Sequence, residues 1–181
     1  HAAEITSVVV SPDGKYILSG AEDGVMIQWD FVTGREVRSF EPHAMGIMDL
    51  CCSPDGKHAV SGDRMGVIRF WTIDTGEIVW EKKKKRQGGI TNLSLGGDGS
   101  KLAASTDVGI VSVRDTMTGK ELKSFGNRRG GSAHGVCFSS DGKQVLSCGD
   151  DRSVRLWNAE KGKELKEYIG HNEGVNSVDF S

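Results

Sequence analysis

Apolar residues along this chain fall in short alternating runs, and no stretch keeps helical periodicity over three turns. Val154 and Leu156, Ile68 and Phe70, and Val111 and Val113 each alternate with polar neighbours, as in half-buried or sandwiched strands. Two-residue turn signals separate the runs. Asp13-Gly14, Asp55-Gly56, Asp98-Gly99 and Asp141-Gly142 recur in constant phase, each followed twenty residues later by Thr33-Gly34, Thr75-Gly76, Thr118-Gly119 or Lys161-Gly162. The glycines step by 42, 43 and 43 residues. Such turns supply the positive φ of tight hairpins, and a period of about 40–45 residues built from short strands predicts propeller blades.

Each unit reads as four strands, a to d. In the fourth, Gly135–Phe138 is strand a, Gln144–Ser147 strand b, Ser153–Trp157 strand c and Lys163–Tyr168 strand d. The units cover about 1–42, 43–85, 86–128 and 129–170, and 171–181 begins a fifth. The expectation is a single all-β domain over 1–181. It comprises four four-stranded antiparallel blades plus one extra strand, incomplete as a single ring.

With Trp29-Asp30, Trp71-Thr72, Arg114-Asp115 and Trp157-Asn158 closing strand c, the pattern resembles the WD40 family. His1, His43 and His171 stand where that family has Gly-His, and Arg86 and Arg129 take the corresponding places. The resemblance implies a buried hydrogen-bonded network of His, Ser or Thr, Asp and Trp in each blade. Blade 1 keeps His1, Ser19, Asp23 and Trp29. Blade 2 keeps His43, Ser61 and Trp71, with Met65 at the Asp position. Blade 4 keeps Ser147, Asp151 and Trp157. In blade 3 the positions hold Arg86, Ala104, Val108 and Arg114, so the network is lost there. The phase of the repeat makes this constellation structural rather than hydrolytic.

The resemblance also implies ligand contacts on the top face, which carries the d–a and b–c turns. The positions are Glu4, Thr6, Glu22, Met48, Arg64, Thr91, Asp107, Ser132, His134, Asp150 and Asn176, joined by Gly46, Gly89 and Gly174. Their mixed polarity with an apolar anchor favours protein or peptide recognition over a phosphate backbone. WD40 rings typically have seven or eight blades. This chain is therefore expected to be a segment of a longer protein, or a half-ring that closes as a homodimer of eight blades. The dimer has a surplus a-strand to accommodate.

Formal charge is −2 with pI near 6.2, which gives no global drive toward nucleic acid or anionic membrane. No apolar run approaches a membrane span, and the N-terminal residues read as repeat rather than signal peptide. Cys51, Cys52, Cys137 and Cys148 lack metal-ligand spacing and read as small packing residues in a reducing, cytoplasmic compartment. No phosphate loop, zinc spacing, paired-carboxylate site or nucleophile motif is present, so neither an enzyme nor a cofactor is expected.

One feature lies outside the repeat. Lys82, Lys83, Lys84, Lys85 and Arg86 continue strand d of blade 2, with Arg128-Arg129 two connections on. This run reads either as an edge-strand guard against aggregation or as a basic patch for acidic polymers or nucleic acid. Trp80, on the same outer strand, either anchors an interface or covers its own blade.

Overall fold

A computed structural model describes residues 1–83, 88–126 and 130–181. Blade 1 comprises β1 (Ile5–Val10), β2 (Tyr16–Ala21), β3 (Met26–Asp30) and β4 (Glu36–Ser39). Blade 2 comprises β5 (Ile47–Cys52), β6 (His58–Asp63), β7 (Val67–Thr72) and β8 (Ile78–Lys83). Blade 3 comprises β9 (Ile90–Leu95), β10 (Lys101–Thr106), β11 (Ile110–Asp115) and β12 (Glu121–Gly126). Blade 4 comprises β13 (Ala133–Phe138), β14 (Gln144–Gly149), β15 (Ser153–Asn158) and β16 (Lys163–Ile169). Every sheet is an antiparallel meander in chain order, the described residues contain no helix, and the four sheets do not close into a ring.

The a–b hairpins of blades 1, 2 and 4 share one turn chemistry. Gly14 takes φ +69°, while Asp13 Oδ1 accepts the Ser11 hydroxyl (2.7 Å) and the Lys15 amide (3.1 Å). The c–d turns are held by the residue after the strand-c Trp position. Asp30 Oδ1 accepts the Thr33 amide and hydroxyl, both at 2.7 Å, and Asp115 does the same for Thr118.

The eleven residues 171–181 form no regular strand, which corrects the expected extra strand. An innermost strand in these blades takes its ladder bonds from its own strand b, and among the described residues none pairs with 171–181. The segment instead packs on blade 4. The Val175 amide donates to the Gly149 carbonyl (3.0 Å), and Ser177 lies against Gly135.

The core lies between blades. Leu18, Met26, Ile47, Leu50 and Trp71 fill the first interface, Val60, Ile68, Phe70, Ile90 and Leu102 the second, and Val111, Val113, Ala133, Val136 and Trp157 the third. Strand b of one blade receives the first residue of strand a of the next. Gly20 and Gly62 accept Ile47 and Ile90, whose Cγ2 atoms would stand 2.6 and 2.5 Å from an added Cβ. At the third interface the equivalent positions are Ser105 and Ala133, so a larger receiver meets a smaller knob.

A polar line also crosses the innermost strands. Asp49 accepts the Ser7 hydroxyl (2.8 Å) from blade 1, and the Asn92 side-chain amide and Leu93 amide (both 2.7 Å) from blade 3. Asn92 Oδ1 then accepts the Val136 amide of blade 4 (2.8 Å).

Within blades, Ser19 Oγ accepts Trp29 Nε1–H (2.8 Å) and lies 2.7 Å from His1 Nε2, with His1 Nδ1 3.5 Å from Asp23. In blade 2, Ser61 Oγ accepts Trp71 Nε1–H (2.8 Å) and lies 2.6 Å from His43 Nε2. Asp63, two residues before Met65, supplies the carboxylate, 3.2 Å from His43 Nδ1. The geometry assigns the proton to Nδ1, leaving Nε2 to accept the Ser61 hydroxyl. In blade 4 Trp157 Nε1–H reaches Ser147 Oγ (2.8 Å). Asp151, expected in that network, turns away to Arg155 (2.5 Å) and Ser153, because the Arg155 guanidinium is a stronger partner in this buried place. Arg86 and Arg129 lie outside the described residues. Arg114, at the blade 3 Trp position, is buried and pairs with Glu121 (3.2 Å) and the Gly119 carbonyl (3.2 Å), and burial lowers its pKa.

Three outcomes are expected. Gly62→Ala forces Ile90 aside and costs about 1–3 kcal/mol, read from the urea midpoint. In an Ile90→Ala background the same Gly62→Ala change costs less, whereas an equal cost in both backgrounds refutes steric docking. Ser61→Ala strands the Trp71 and His43 nitrogens and costs about 1–3 kcal/mol. Ser19→Ala costs less, because its network is only partly buried.

The third outcome concerns acid. Hydrogen bonds, first the Ser11 hydroxyl and then the Lys15 amide, hold Asp13 at about 2; equivalent bonds lower Asp55 and Asp141, and the Ser100 amide and then its hydroxyl lower Asp98. A carboxylate depressed on folding contributes stability that is present above its ordinary value of 3.8 and lost as pH falls toward about 2. Burial raises Asp49, with the opposite sign, as its share is lost when pH rises through the raised value. The depressed group is the larger, so the urea midpoint drops as pH falls from 4 to about 2. A midpoint that rises over that interval contradicts this.

Candidate functional site

The rim carrying the b–c turns and d–a connections is drawn together by backbone. The Glu22, Arg64, Asp107 and Asp150 amides donate to the carbonyls of Glu4, Gly46, Gly89 and Ser132, at 2.9–3.0 Å. Successive blades then meet through glycine. Gly46 lies against the Glu22 backbone, Gly89 against the Arg64 carbonyl and Gly174 against Asp150. A side chain at Gly46 or Gly89 would push neighbouring blades apart, a reason the sequence alone did not reveal.

On that frame the candidate residues divide. Glu4, Glu22, Arg64, Asp107, Asp150 and Asn176 are exposed, and Met48, Ser132 and His134 are half-buried. Arg64 Nη2 meets Glu22 Oε1 at 2.7 Å, an ion pair that spans blades 1 and 2. His134 Nε2 meets Asp150 Oδ1 at 2.6 Å. The Ser132 amide and then His134 hold the Asp150 carboxyl below its ordinary range.

Two of the residues have inter-blade duties instead. Thr6 Oγ1 donates to the Ile47 carbonyl (2.6 Å), and Thr91 Oγ1 reaches the Ala133 carbonyl at 2.5 Å, tying neighbouring innermost strands. Asp107 and Asp150 also accept backbone amides at the start of their own strand a, from Gly89 (2.9 Å) and Ser132 (2.8 Å).

Of the basic run, Lys82 and Lys83 end β8 and are exposed, whereas Lys84, Lys85 and Arg86, like Arg128 and Arg129, lie outside the described residues. Trp80 anchors a contact inside the chain. Its ring stacks on Phe70 at 5.6 Å between centroids, and its Nε1–H donates to the Thr116 carbonyl of blade 3 (2.9 Å).

The four thiols are unpaired, and burial pushes Cys52, Cys137 and Cys148 up to about 11. Thiolate chemistry at neutral pH is thereby suppressed. Among the described residues no group of three or more His, Cys, Asp or Glu has metal-holding geometry, and no helix is long and apolar enough to cross a membrane.

Comparison with known proteins follows the repeat. Residues 1–30, 34–72 and 119–158 match the WD40 family described as WD domain, G-beta repeat. A 45-residue stretch, 25% of this chain, is 38% identical to the small ribosomal subunit protein RACK1z of Arabidopsis thaliana, and equally to the small ribosomal subunit protein RACK1 of Brassica napus. The match covers 14% of each of those proteins.

Among solved structures, U3-55K and the RRP9 WD40 repeats superpose with TM-scores of 0.89 at 22% identity, over 97% of this chain. The chain spans 55% and 54% of their lengths. At that identity the likeness concerns the fold, and it accords with the blades described above. The phased turns, the four-stranded meanders and a family match over more than half of its residues show that this chain belongs to the WD40 family.

Proposed function

We propose that the chain is a non-enzymatic scaffold that binds a protein or peptide through the rim of b–c turns and d–a connections. WD40 propellers generally serve as scaffolds of this kind. The observation that carries the reading is the division on that rim. Backbone bonds and glycine contacts fix the loops, while Glu4, Glu22, Met48, Arg64, His134 and Asn176 keep side chains directed to neither the blade networks nor the core clusters. Loops ordered before binding lose little entropy on contact, so scattered side chains act together. The unpaired thiols support a reducing, cytoplasmic setting.

A second reading takes Lys82–Arg86 as a binder of acidic polymers. Exposed Lys82 and Lys83 support it, as do relatives that are named small ribosomal subunit proteins. Homodimeric closure draws support from the open face of blade 1, where Ile5, Val8 and Val10 are 56, 57 and 47% exposed. A partner copy entering at blade 4 would have to displace residues 171–181.

The test compares partner recovery from cell extract, by quantitative mass spectrometry, for the chain and two variants. Met48→Ala with Arg64→Glu is expected to lower recovery about tenfold, with a urea midpoint shift of no more than about 0.5 kcal/mol. If recovery survives those changes but falls with Lys82→Glu and Lys83→Glu, and declines steeply with salt, the polymer reading replaces it. Light scattering over a hundredfold range of concentration decides the dimer, which requires twice the chain mass.

A further inference from the structure

The opposite rim, built from a–b and c–d turns, has a groove between blades 2 and 3. Its volume is about 470 Å³, within the range of sites that take a ligand or a peptide side chain. Its base is apolar and rigid. The buried Phe70 ring lies between His58, stacked at 4.8 Å, and Trp80, and Pro54 and the 59% exposed Met117 flank it. An exposed methionine beside a fixed aromatic surface adapts readily to an aliphatic guest.

Two further features are specific to this groove. Thr116, which lines it, is buried to within 1%, and its Oγ1 has no hydrogen-bond partner among the described residues. The same position in blade 2 is Ile73, packed in the core. A threonine there forgoes apolar packing for a hydroxyl that the fold does not use, and buried hydroxyls normally find partners. The second feature is charge. In blades 1 and 4 the a–b aspartate is paired with the lysine two residues on, Lys15 with Asp13 at 3.1 Å and Lys143 with Asp141 at 3.9 Å. Blade 3 has Ser100 in place of that lysine, and its hydroxyl lies 2.8 Å from Asp98. Asp98 and Asp55 face the groove from opposite blades, with Lys57 as the cation in its lining.

We propose that this groove docks a short extended segment of a partner protein carrying an aliphatic side chain beside a lysine or arginine. The aliphatic group rests on Phe70, Met117 and Pro54, and the cation sits at Asp98. The groove is separate from the opposite rim and does not depend on its function.

A random nonapeptide library displayed on phage, selected on the chain, tests the assignment. Enriched peptides are expected to pair an aliphatic residue with Lys or Arg. A synthetic copy should lose about tenfold in affinity, by fluorescence anisotropy, with Met117→Ala and with Asp98→Lys. Met48→Ala with Arg64→Glu on the other rim should change nothing. The proposal is overturned if no peptide is enriched, if the basic residue is absent from the selected set, or if binding survives Met117→Ala and Asp98→Lys. Loss of binding with the Met48 and Arg64 changes instead would equally overturn it.

Discussion

Packing between blades is the constraint on which the rest of this structure depends. A four-stranded sheet buries little by itself, and the three apolar clusters here each draw residues from two successive blades. Stability in such an array resides in neighbour contacts, as in other repeat architectures. The polar line through Ser7, Asp49, Asn92 and Val136 follows the same logic at the inner edge, joining four blades by hydrogen bonds. Even Trp80, on an outer strand, is used between blades rather than on the surface.

The intra-blade networks show how loosely sequence position constrains a role. A carboxylate holds the start of strand a in every blade. Asp23 accepts the Ala2 amide, Asp63 binds the His43 ring, Asp107 accepts Gly89, and Asp150 accepts Ser132. These residues occupy three different offsets in the b–c turn. What is maintained is the place of the charge and not the place of the residue.

That explains what was legible beforehand. Turn signals in constant phase pointed to four strands per unit, and the four bounded in the last unit lie within two residues of β13 to β16, because Asp-Gly and Thr-Gly fix local geometry wherever they occur. The Ser and Trp pairs came from the WD40 resemblance, and the structure bonds them at Ser19–Trp29, Ser61–Trp71 and Ser147–Trp157. Asp63 was missed because a carboxylate at the end of β6 reaches the histidine as well as one in the turn does. Arg155 was overlooked as a rival for Asp151, although Arg69 stands at the same place in blade 2, because the resemblance assigns that place no part in the network. On the rim, Thr6 and Thr91 read as surface positions, yet the carbonyls they bind belong to the next blade and are invisible in one unit. The groove between blades 2 and 3 was equally illegible, being lined by both.

The matched sizes of Gly20 with Ile47, Gly62 with Ile90 and Ser105 with Ala133 have a consequence for assembly. Repeats this similar offer a folding chain many wrong neighbours, a known hazard of tandem modules. Ile47 cannot seat on Ser105 without a clash, and Ala133 on Gly20 leaves a void. The two Gly–Ile pairs share one shape and the Ser–Ala pair has another. Blade 4 is thus told from blades 2 and 3 by shape when it docks on blade 3.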